Sequence, residues 1–490
     1  MNILLVSPRT PSTFWSFRHA VSFVSRKASS PPLGLLTVAA MLPRSWNLEL
    51  VNLDVNPLED DRILWADYVM IGGMIVHRES AVDITRRCRA LGRPVIAGGP
   101  LFATGHEAFP DVDHFVVGEA EEVMERLVQD MTDGRPARLY EAERFPDLSR
   151  TPVPRWDLIE PGDYASMSVQ FSRGCPFNCE FCDIVAMNGR VPRTKAPDQV
   201  IEELEALRGL GWKGRVFLVD DNFIGNRRCV KDLLRAMDSW RRRTRARMDF
   251  VTEASVNLAW DAELLGLMAD VGFKQVFLGI ETPSAEGLEE CGKKQNLRRD
   301  LLESVRTIQE AGIEVMGGFI LGFDSDPPDI FERQFEFIQR SGIVTAMVGL
   351  LTAVPRTRLY QRLLAEDRLV TRSTGNNTEA VCNFIPRLGQ DTLTEGYRRL
   401  VRSLYEPRSF YARARELLMH HRPRGPRAHV EARHVQALFR SFWKIGLRHR
   451  GRREYWKFLG YTLVHHPQAF ASAVTLAIYG HHFRTVASTL

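Results

Sequence analysis

Short runs of β-branched and other apolar residues alternate with longer amphipathic segments over the first 140 residues. The segments 34–42, 79–91 and 119–132 have the length and periodicity of helices. Five apolar runs are predicted to be strands: Asn2–Ser7, Leu48–Leu53, Tyr68–Gly72, Pro94–Gly98 and His114–Gly118. This alternation predicts a doubly wound parallel sheet over residues 1–140, whose ligands lie at the carboxyl ends of the strands.

A second series of strands and helices follows from residue 166 onward. The predicted helices are 197–210, 227–243, 261–271, 298–311 and 329–341. The predicted strands are Ser168–Phe171, Val216–Asp220, Asp249–Glu253, Gln275–Ile280, Gly317–Gly322 and Met347–Thr352. Six such units predict a partial (β/α)6 barrel over residues 166–352, with its active site at the carboxyl ends of the strands.

Prolines and a change of pattern separate these regions from one another and from the C-terminus. Residues 141–165 have little periodicity and contain Pro146, Pro152, Pro154 and Pro161, so we interpret them as a linker. Residues 353–490 alternate helical segments with loops and are predicted to form a helical, basic C-terminal domain. The overall fold class is therefore α/β with a helical addition.

Composition is that of an ordinary globular protein. Hydrophobic residues make up 44% and charged residues 26% of 490 residues, and the net charge is +5. No apolar run reaches the roughly 20 residues of a membrane span. The chain opens directly on an apolar strand without a basic leader, so we expect a cytoplasmic protein.

Three of the seven cysteines are closely spaced, at Cys175, Cys179 and Cys182. An odd number of cysteines and the absence of a secretory signal argue against a disulfide framework. A structural zinc site would need a fourth Cys or His nearby, and the flanking sequence contains none. Three local thiolates suit a [4Fe–4S] cluster with one iron left open. The scattered cysteines are interpreted as buried apolar residues: Cys88, Cys229, Cys291 and Cys382.

This CxxxCxxC spacing, with Phe181 before the last cysteine, resembles the cluster loop of the radical SAM superfamily. The resemblance implies that S-adenosylmethionine chelates the open iron and is cleaved to a 5′-deoxyadenosyl radical. Arg173, two residues before the first cysteine, either steadies the charge of the cluster or is solvated, and a solvated arginine is the favoured interpretation.

Acids, amides and glycines end four consecutive strands of the predicted barrel. A single carboxylate of this kind is usually a helix cap or a solvated residue, whereas four in succession favour a ligand site. By resemblance, Asp220, Asp221 and Asn222 hold the methionyl amino group of S-adenosylmethionine. By the same resemblance, Glu253 and Glu281 contact its ribose or methionyl part, and Gly318 and Gly322 lie along its adenine.

Glycines also end three strands of the first predicted sheet, at Gly72, Gly73, Gly98, Gly99 and Gly118, followed by Glu119. Such glycines either turn the chain or let a large planar ligand approach the backbone. The region resembles the cobalamin-binding domain of one class of radical SAM enzymes but lacks a DxHxxG triplet. The resemblance therefore implies cobalamin without a protein histidine on its lower face. Residues 28–37 are either a loop that, by the same resemblance, lies near the corrin, or a helix N-terminus capped by Ser30 with proline in its first turn.

The C-terminal region combines basic and aromatic residues. Residues 422–453 contain ten Lys and Arg against one acid, interleaved with Phe439, Phe442 and Trp443. A solvated helical face is the favoured interpretation, a membrane-surface helix is the second, and nucleic-acid binding is the least favoured. An apolar stretch, Ala469–Tyr479, follows.

As a whole, the chain resembles B12-dependent radical SAM proteins with a helical C-terminal domain, and among them the hopanoid C-2 methylases. The segments that carry the likeness are Phe14–Phe17, Ala97–Phe102, Asp220–Asn226 and Ile343–Gly349. The resemblance implies radical C-methylation of an unactivated carbon of a polycyclic isoprenoid lipid. It also implies an electron donor such as ferredoxin or flavodoxin. The membrane-surface interpretation of the basic and aromatic C-terminal domain would place that domain at the inner face of the membrane. The alternatives are a ring-forming or oxidising enzyme acting on a tetrapyrrole-like substrate, and an RNA-modifying protein.

Overall fold

A computed structural model describes residues 1–103, 105–424 and 432–490. Its N-terminal part contains a parallel sheet of six strands in the order β2-β1-β3-β4-β5-β6. The strands are β1 (Asn2–Ser7), β2 (Asn47–Asn52), β3 (Tyr68–Gly72), β4 (Val95–Gly98), β5 (His114–Val117) and β6 (Leu139–Glu141). The strand order reverses between β1 and β3, which opens a crevice at the carboxyl ends of these strands.

Helices cover both faces of this sheet, as expected for a doubly wound fold. They are α1 (Arg18–Val21), α2 (Leu33–Met41), α3 (Asp60–Trp65), α4 (Arg78–Ala90), α5 (Pro100–Ala103) and α6 (Met124–Thr132). Helix α2 starts at Leu33 with Pro32 before it and without a side-chain cap, so the predicted capping role of Ser30 is wrong. The sequence also did not reveal α3 or β6, and β6 extends the sheet across the predicted start of the linker.

Six more parallel strands form the predicted partial barrel, in the order β12-β11-β10-β9-β8-β7. They are β7 (Ser166–Val169), β8 (Arg215–Leu218), β9 (Asp249–Ala254), β10 (Phe273–Glu281), β11 (Glu314–Leu321) and β12 (Ala346–Leu350). The helices associated with them are α7 (Ile184–Asn188), α8 (Pro197–Gly209), α9 (Arg227–Thr244), α10 (Ala262–Val271), α11 (Ala285–Glu290), α12 (Leu301–Glu310) and α13 (Ile330–Ser341).

The two faces of the barrel differ in burial. Along β10, Val276, Leu278 and Ile280 are completely buried, whereas Phe277 and Gly279 between them keep some exposure. Successive side chains of a strand point to opposite faces. The buried set therefore packs under the surrounding helices, and the other set lines an accessible barrel interior.

Helices also dominate the C-terminal part. They are α14 (Arg358–Ala365), α15 (Gln390–Tyr405), α16 (Pro407–His420), α17 (Ala432–Ser441), α18 (Arg452–His465) and α19 (Phe470–Ala487), and a π-helix, Phe442–Leu447, continues α17. One hydrophobic core runs from the barrel into these helices. At the base of the barrel, Arg215 donates to the hydroxyl of Tyr479 on α19 over 3.1 Å. The apolar stretch noted in the sequence thus packs inside the protein.

The segment after β1 crosses from the first sheet to these C-terminal helices. Phe14 packs against Phe483, with 5.4 Å between ring centroids, and its carbonyl oxygen lies 3.0 Å from Nε2 of His482. Trp15 reaches Phe277 of the barrel interior, with a centroid distance of 4.7 Å. The N-terminal segment therefore joins the sheet, the barrel and the last helix.

Among the described residues, no helix is both long enough and apolar enough to cross a membrane.

Candidate active site

The cysteine loop starts just after β7 and is shaped by close backbone contacts. The amide of Cys175 donates to the carbonyl of Gly189 over 3.2 Å. Gly174 has φ +96°, and a Cβ there would lie 2.9 Å from the carbonyl oxygen of Asn188, so only glycine fits. On the far side, the amide of Glu180 donates to the carbonyl of Cys291 over 2.9 Å. These contacts fix the path of the loop.

The three thiols of this loop are partly exposed and form no disulfide. Burial raises the pKa of Cys175 and Cys179, and it raises the pKa of Cys182 to about 12. The other thiols act in the same direction on Cys179 and Cys182. Metal binding requires deprotonated thiols. The loop therefore holds three neutral thiols that would become thiolates on binding a positively charged metal group.

Asp220, predicted to hold an amino group, is instead directed at the start of this loop. Its Oδ1 accepts from the amides of Phe171 and Ser172 over 2.8 and 3.1 Å, and its Oδ2 accepts from the Ser172 hydroxyl over 3.0 Å. Burial raises its pKa to about 7. With both oxygens engaged, this geometry favours a loop-positioning role for Asp220 over the predicted ligand contact.

Asp221 and Asn222 also face the loop. Asp221 Oδ2 accepts from the Gly174 amide over 2.8 Å and from the Asn188 side chain over 2.9 Å. Asn222 Nδ2 lies 3.8 Å from Sγ of Cys175, within donor distance of sulfur. The residues that follow β8, from Asp220 to Asn222, therefore support the cysteine loop.

Glu253, at the end of β9, stands in a different environment. Its side chain retains some exposure to the barrel interior, and no hydrogen bond from a described residue stabilises its charge. Burial, followed by the charges of Asp221 and Asp220, raises its pKa to about 8. An unpartnered acid of this kind is suited to receive a cationic or hydroxylated ligand.

Glu281 ends β10 in a strained conformation, with φ +67°. Its carboxylate forms a buried ion pair with Lys293. The positive charge of Lys293 also acts on the thiol of Cys179, which Gln295 hydrogen-bonds. Gly279 leaves the space that this pair occupies, since a Cβ there would overlap both side chains. Strain of this type is retained where surrounding contacts enforce it, often at functional sites.

Two glycines, one on β11 and one directly after it, are required by close contacts and backbone conformation. A Cβ on Gly318 would lie 2.7 Å from the ring of Phe277, so this position must be small. Gly322 has φ +105°, and its amide donates to Asp326 Oδ2 over 2.7 Å. Burial raises the pKa of Asp326 to about 7. The two predicted glycines thus have structural reasons for their identity.

The glycines at the carboxyl edge of the first sheet are required mainly by packing. Gly99 and Gly118 have φ of +89° and +87°. An added Cβ would press on a neighbour at four of the five predicted positions: on Leu35 at Gly72, on Val116 at Gly98, on Gly73 at Gly99 and on Ala142 at Gly118. The edge that results is made of small or apolar residues, including Met74, whose exposure is 54%.

A histidine near this edge has both ring nitrogens occupied. His77 Nδ1 accepts from the amide of Met74 over 3.1 Å, which places the proton on Nε2. Nε2 lies 3.3 Å from the hydroxyl of Thr10. Burial lowers the pKa of His77. This imidazole is held neutral and is already bonded on both sides.

An ion-pair cluster, here called the domain clamp, links the end of β5 to the cysteine loop. Arg173 donates to Glu119 over 2.6 Å and to Glu121 over 2.7 Å, and Arg193 also pairs with Glu119. All four side chains are mostly buried, so the expectation of a solvated Arg173 is wrong. Burial alone would raise the pKa of Glu121, but the bond and charge of Arg173 outweigh it and lower that pKa. Glu119, a predicted cobalamin contact, has its carboxylate committed to this clamp.

Three family models match successive parts of the chain. A B12 binding domain matches residues 21–128, the radical SAM superfamily matches residues 169–362, and a domain of unknown function, DUF4070, matches residues 357–490. An uncharacterized methyltransferase of Synechocystis sp. is 41% identical over 99% of this chain and 91% of its own length. The hopanoid C-2 methylase of Rhodopseudomonas palustris is 36% identical over 93% of this chain and 88% of its own length.

This chain belongs to the B12-dependent radical SAM methyltransferase family. Solved structures support the fold independently. The cobalamin-dependent S-adenosylmethionine radical enzyme OxsB, with aqua-cobalamin and S-adenosylmethionine bound, superposes with a TM-score of 0.65 at 14% identity, covering 100% of this chain and 80% of that one.

As a B12-dependent radical SAM enzyme, the protein uses a [4Fe–4S] cluster, S-adenosylmethionine and cobalamin. The cysteine loop fits the cluster by the chemistry of its donors, because it carries three thiols and the positive charge of Lys293 acts on two of them, Cys175 and Cys179. The edge of the first sheet fits the flat and largely uncharged face of a corrin, because Gly73, Met74 and Gly99, which lie there, carry no charge. Both ring nitrogens of His77, the histidine near this edge described above, are bonded within the protein.

Sequence reasoning missed several residues of this radical SAM site. Lys293 lies twelve residues after Glu281 and directly before a short helical turn, and nothing in the local sequence pattern indicates an ion pair. Asp326 lies beyond the predicted strand end that it caps. Trp15 belongs to a segment singled out for its family likeness, but its contact with Phe277 joins distant parts of the chain.

Proposed function

We propose that this protein transfers a methyl group to an unactivated carbon of a polycyclic isoprenoid lipid of the hopanoid type. The observation that carries the proposal is its 36% identity to a hopanoid C-2 methylase over nearly the whole of both chains. Fold alone does not fix a substrate. The interior of the barrel therefore provides a separate line of support.

The accessible side chains of the barrel interior next to Glu253 are mainly apolar. Phe217, Phe277 and Ile320 retain partial exposure on their strands, and Trp15 packs on Phe277. Surfaces of this kind accommodate a hydrocarbon skeleton, whose binding is driven by removal of apolar area from water. A tetrapyrrole with ionised carboxylates would need cationic partners, and Phe217, Phe277 and Ile320 provide none.

Roles for individual residues follow from this proposal. Cys175, Cys179 and Cys182 hold the cluster, Glu253 receives the cationic or ribose part of S-adenosylmethionine, and Glu281 with Lys293 orders the site between them. Asp220, Asp221 and Asn222 position the cysteine loop. Gly318 and Gly322 lie along the adenine. Gly72, Gly73, Gly98, Gly99 and Gly118 shape the corrin edge, and Glu119 anchors it through the domain clamp.

The cofactors supply the radical that removes hydrogen from the substrate and the methyl group that replaces it. The contribution of the protein is to bind the hydrocarbon, exclude water and keep the cofactors in register. An electron donor such as ferredoxin or flavodoxin supplies reducing equivalents. Peripheral contact with a membrane through the C-terminal domain belongs to the same proposal, because the substrate would reside in a bilayer.

The test compares lipid extracts from cells that make or lack this protein, in a host that produces unmethylated polycyclic isoprenoids. The expected product is heavier by one methylene and carries label from methyl-labelled methionine. Cys179→Ala should abolish both the product and the iron–sulfur absorbance of the purified protein. Cys382→Ala is the matched control, because this buried cysteine lies outside the cluster loop and should leave both unchanged.

An unlabelled product, or a labelled tetrapyrrole instead of a labelled lipid, would overturn the proposed substrate class. Cluster absorbance that survives in Cys179→Ala would remove this residue from the ligand set, whatever the product.

A further inference from the structure

A row of large apolar side chains faces outward from the C-terminal helices. Val435, Phe439, Trp443 and Leu447 follow one another at intervals of four residues along α17 and the π-helix that continues it. Their exposures are 47%, 65%, 53% and 53%. Single exposed apolar residues are common on proteins, but a contiguous row indicates a contact surface.

The opposite side of the same helix is firmly attached to the protein. Ala437, Ser441 and Ile445 are buried. Arg440 reaches across to the N-terminal segment and donates to the carbonyls of Ser22 and Phe23 over 2.9 and 3.1 Å. The apolar row is therefore presented outward by a helix whose inner face is already packed.

The segment that carries this row is strongly basic. Residues 432–453 contain seven Lys and Arg and no Asp or Glu. Lys444 and Arg448 are exposed on the adjacent row of the helix, and the guanidinium of Arg448 lies 4.8 Å from the ring centroid of Trp443. Val435, Gln436, Phe439, Arg440, Trp443 and Lys444 line one depression in this surface.

We propose that this surface, called the docking face, binds a bilayer that contains anionic lipid. Trp and Phe side chains favour the interfacial zone of a bilayer, and Lys and Arg beside them are attracted to anionic headgroups. A nucleic-acid surface would gain from the basic residues and the two aromatic rings but would have no use for exposed Val435 and Leu447. This inference locates the membrane contact that the proposed function includes. It rests on the proposed function only for the biological purpose of that contact.

Trp456 does not belong to the docking face, although it is aromatic and partly exposed. Its indole N–H donates to the carbonyl of Gly446 over 2.9 Å, and its ring packs on Phe442. Substitution of Trp456 would therefore disturb the fold of this region, and the test leaves it intact.

The test measures sedimentation of the full-length protein, with its cofactors, on vesicles of phosphatidylcholine alone or mixed with phosphatidylglycerol. Binding is expected for the mixed vesicles, weakened but not abolished at high salt. Phe439→Ser with Trp443→Ser should remove the salt-resistant part and lower affinity at least about tenfold. Lys444→Gln, Arg448→Gln and Arg450→Gln together should lower it about 100-fold at low salt.

A matched control replaces three exposed arginines on α15, with Arg398→Gln, Arg399→Gln and Arg402→Gln, which removes the same charge elsewhere and should leave binding nearly unchanged. A second measurement uses Trp443→Phe, which keeps the surface apolar. Brominated lipid should quench the fluorescence of the wild-type protein more strongly than that of this variant.

Failure of the wild-type protein to bind mixed vesicles at low salt would overturn the docking face. So would equal binding by all variants, or equal quenching with and without Trp443. RNA binding that resists vesicle competition and survives the Phe439 and Trp443 substitutions would instead identify a nucleic-acid surface. The assay contains no methyl acceptor, so each of these failures would leave the methyltransferase proposal untouched.

Discussion

Two neighbouring carboxylates of the barrel have opposite surroundings. Asp220 is saturated by hydrogen bonds from the cysteine loop, whereas Glu253 receives none from a described residue. Burial raises the pKa of both, to about 7 and about 8. Asp220 is thus a fixed part of the loop, and Glu253 is free to change its charge when a ligand arrives.

The ionisation of Glu253 should make binding of S-adenosylmethionine depend on pH. The folded carboxyl is neutral below about pH 8, and pairing with a cation requires it to lose its proton. Affinity should therefore rise with pH up to about 8 and then level off, with a proton released on binding near pH 7. Calorimetry in buffers of different ionisation enthalpy measures that release.

Glu253→Gln should bind more weakly above pH 8 and release no proton at pH 7. Asp326→Asn is a suitable control, because burial also raises the pKa of that group but its Oδ2 is bonded to backbone amides. Equal proton release by the wild-type protein and Glu253→Gln would show that Glu253 does not face the ligand.

The sequence indicates those residues of this site that lie close together along the chain, but not the contacts between residues that are far apart along it. Three cysteines on one loop and acids at strand ends are local patterns, and the structure places them in one region. The partners of those acids come from elsewhere: Arg173 meets carboxylates 52 and 54 positions away, and Trp15 meets Phe277. No periodicity encodes such pairings, which is why a buried arginine was expected to be solvated.

At the scale of elements, the domain clamp ties the end of β5 to the loop that carries the cysteines. Glu119 follows Gly118 at the corrin edge, and Arg173 precedes Gly174 and the first cysteine. Movement of one loop is therefore resisted by the other. Because the charges are buried, breaking one pair leaves the remaining partner unpaired in a dry environment.

Arg173→Ala should lower the free energy of unfolding by about 3 kcal/mol, because Glu119 and Glu121 lose a buried partner. Denaturant unfolding of the holoenzyme measures the loss. The Co(II) electron paramagnetic resonance spectrum should also change, since the corrin edge is no longer anchored. Arg155→Ala, which breaks a pair with the exposed Asp157, should have a much smaller effect on both.

A loss of stability in Arg173→Ala without any spectral change would restrict the domain clamp to a structural role.

The strands of the first sheet show which elements a sequence pattern can reveal and which it cannot. Asn2–Ser7 and Tyr68–Gly72 were predicted with their observed bounds, because they are long buried runs. In β6, Tyr140 is buried and both neighbours are exposed, so this strand gave no recognisable run.

At the scale of the whole molecule, the first sheet is not an independent unit. Phe14 and Phe23 are fully buried against the barrel and the C-terminal helices, and Trp15 and Phe17 pack there as well. A fragment of residues 1–140 would expose these rings and leave Glu119 and Glu121 without Arg173. The sequence of residues 1–140 resembles that of an independent domain because it contains a complete series of strands. The stability of this region nevertheless depends on contacts with the barrel and the C-terminal helices.

Residues 1–140 alone should therefore aggregate, despite containing the matched B12 domain. Size-exclusion chromatography should find a small monomeric fraction. The monomeric fraction should rise severalfold when four aromatic residues are replaced together, because their rings pack outside the first sheet. The substitutions are Phe14→Ser, Trp15→Ser, Phe17→Ser and Phe23→Ser. A stable monomer from the unaltered fragment would show that the contacts with the rest of the chain are dispensable.

The contact between Phe14 and His482 spans 468 positions, nearly the full length of the chain, and so has a consequence for the order of assembly. Roughly 300 residues separate Cys182 from the last residue. At ribosomal speed their synthesis takes about 15 to 60 s. During that interval the cysteine loop is already outside the ribosome while α19 has not yet closed against Phe14 and Phe17. The packing of Phe14 and Phe17 against α19 is therefore one of the last steps of assembly, and it follows synthesis of the cysteine loop by that interval.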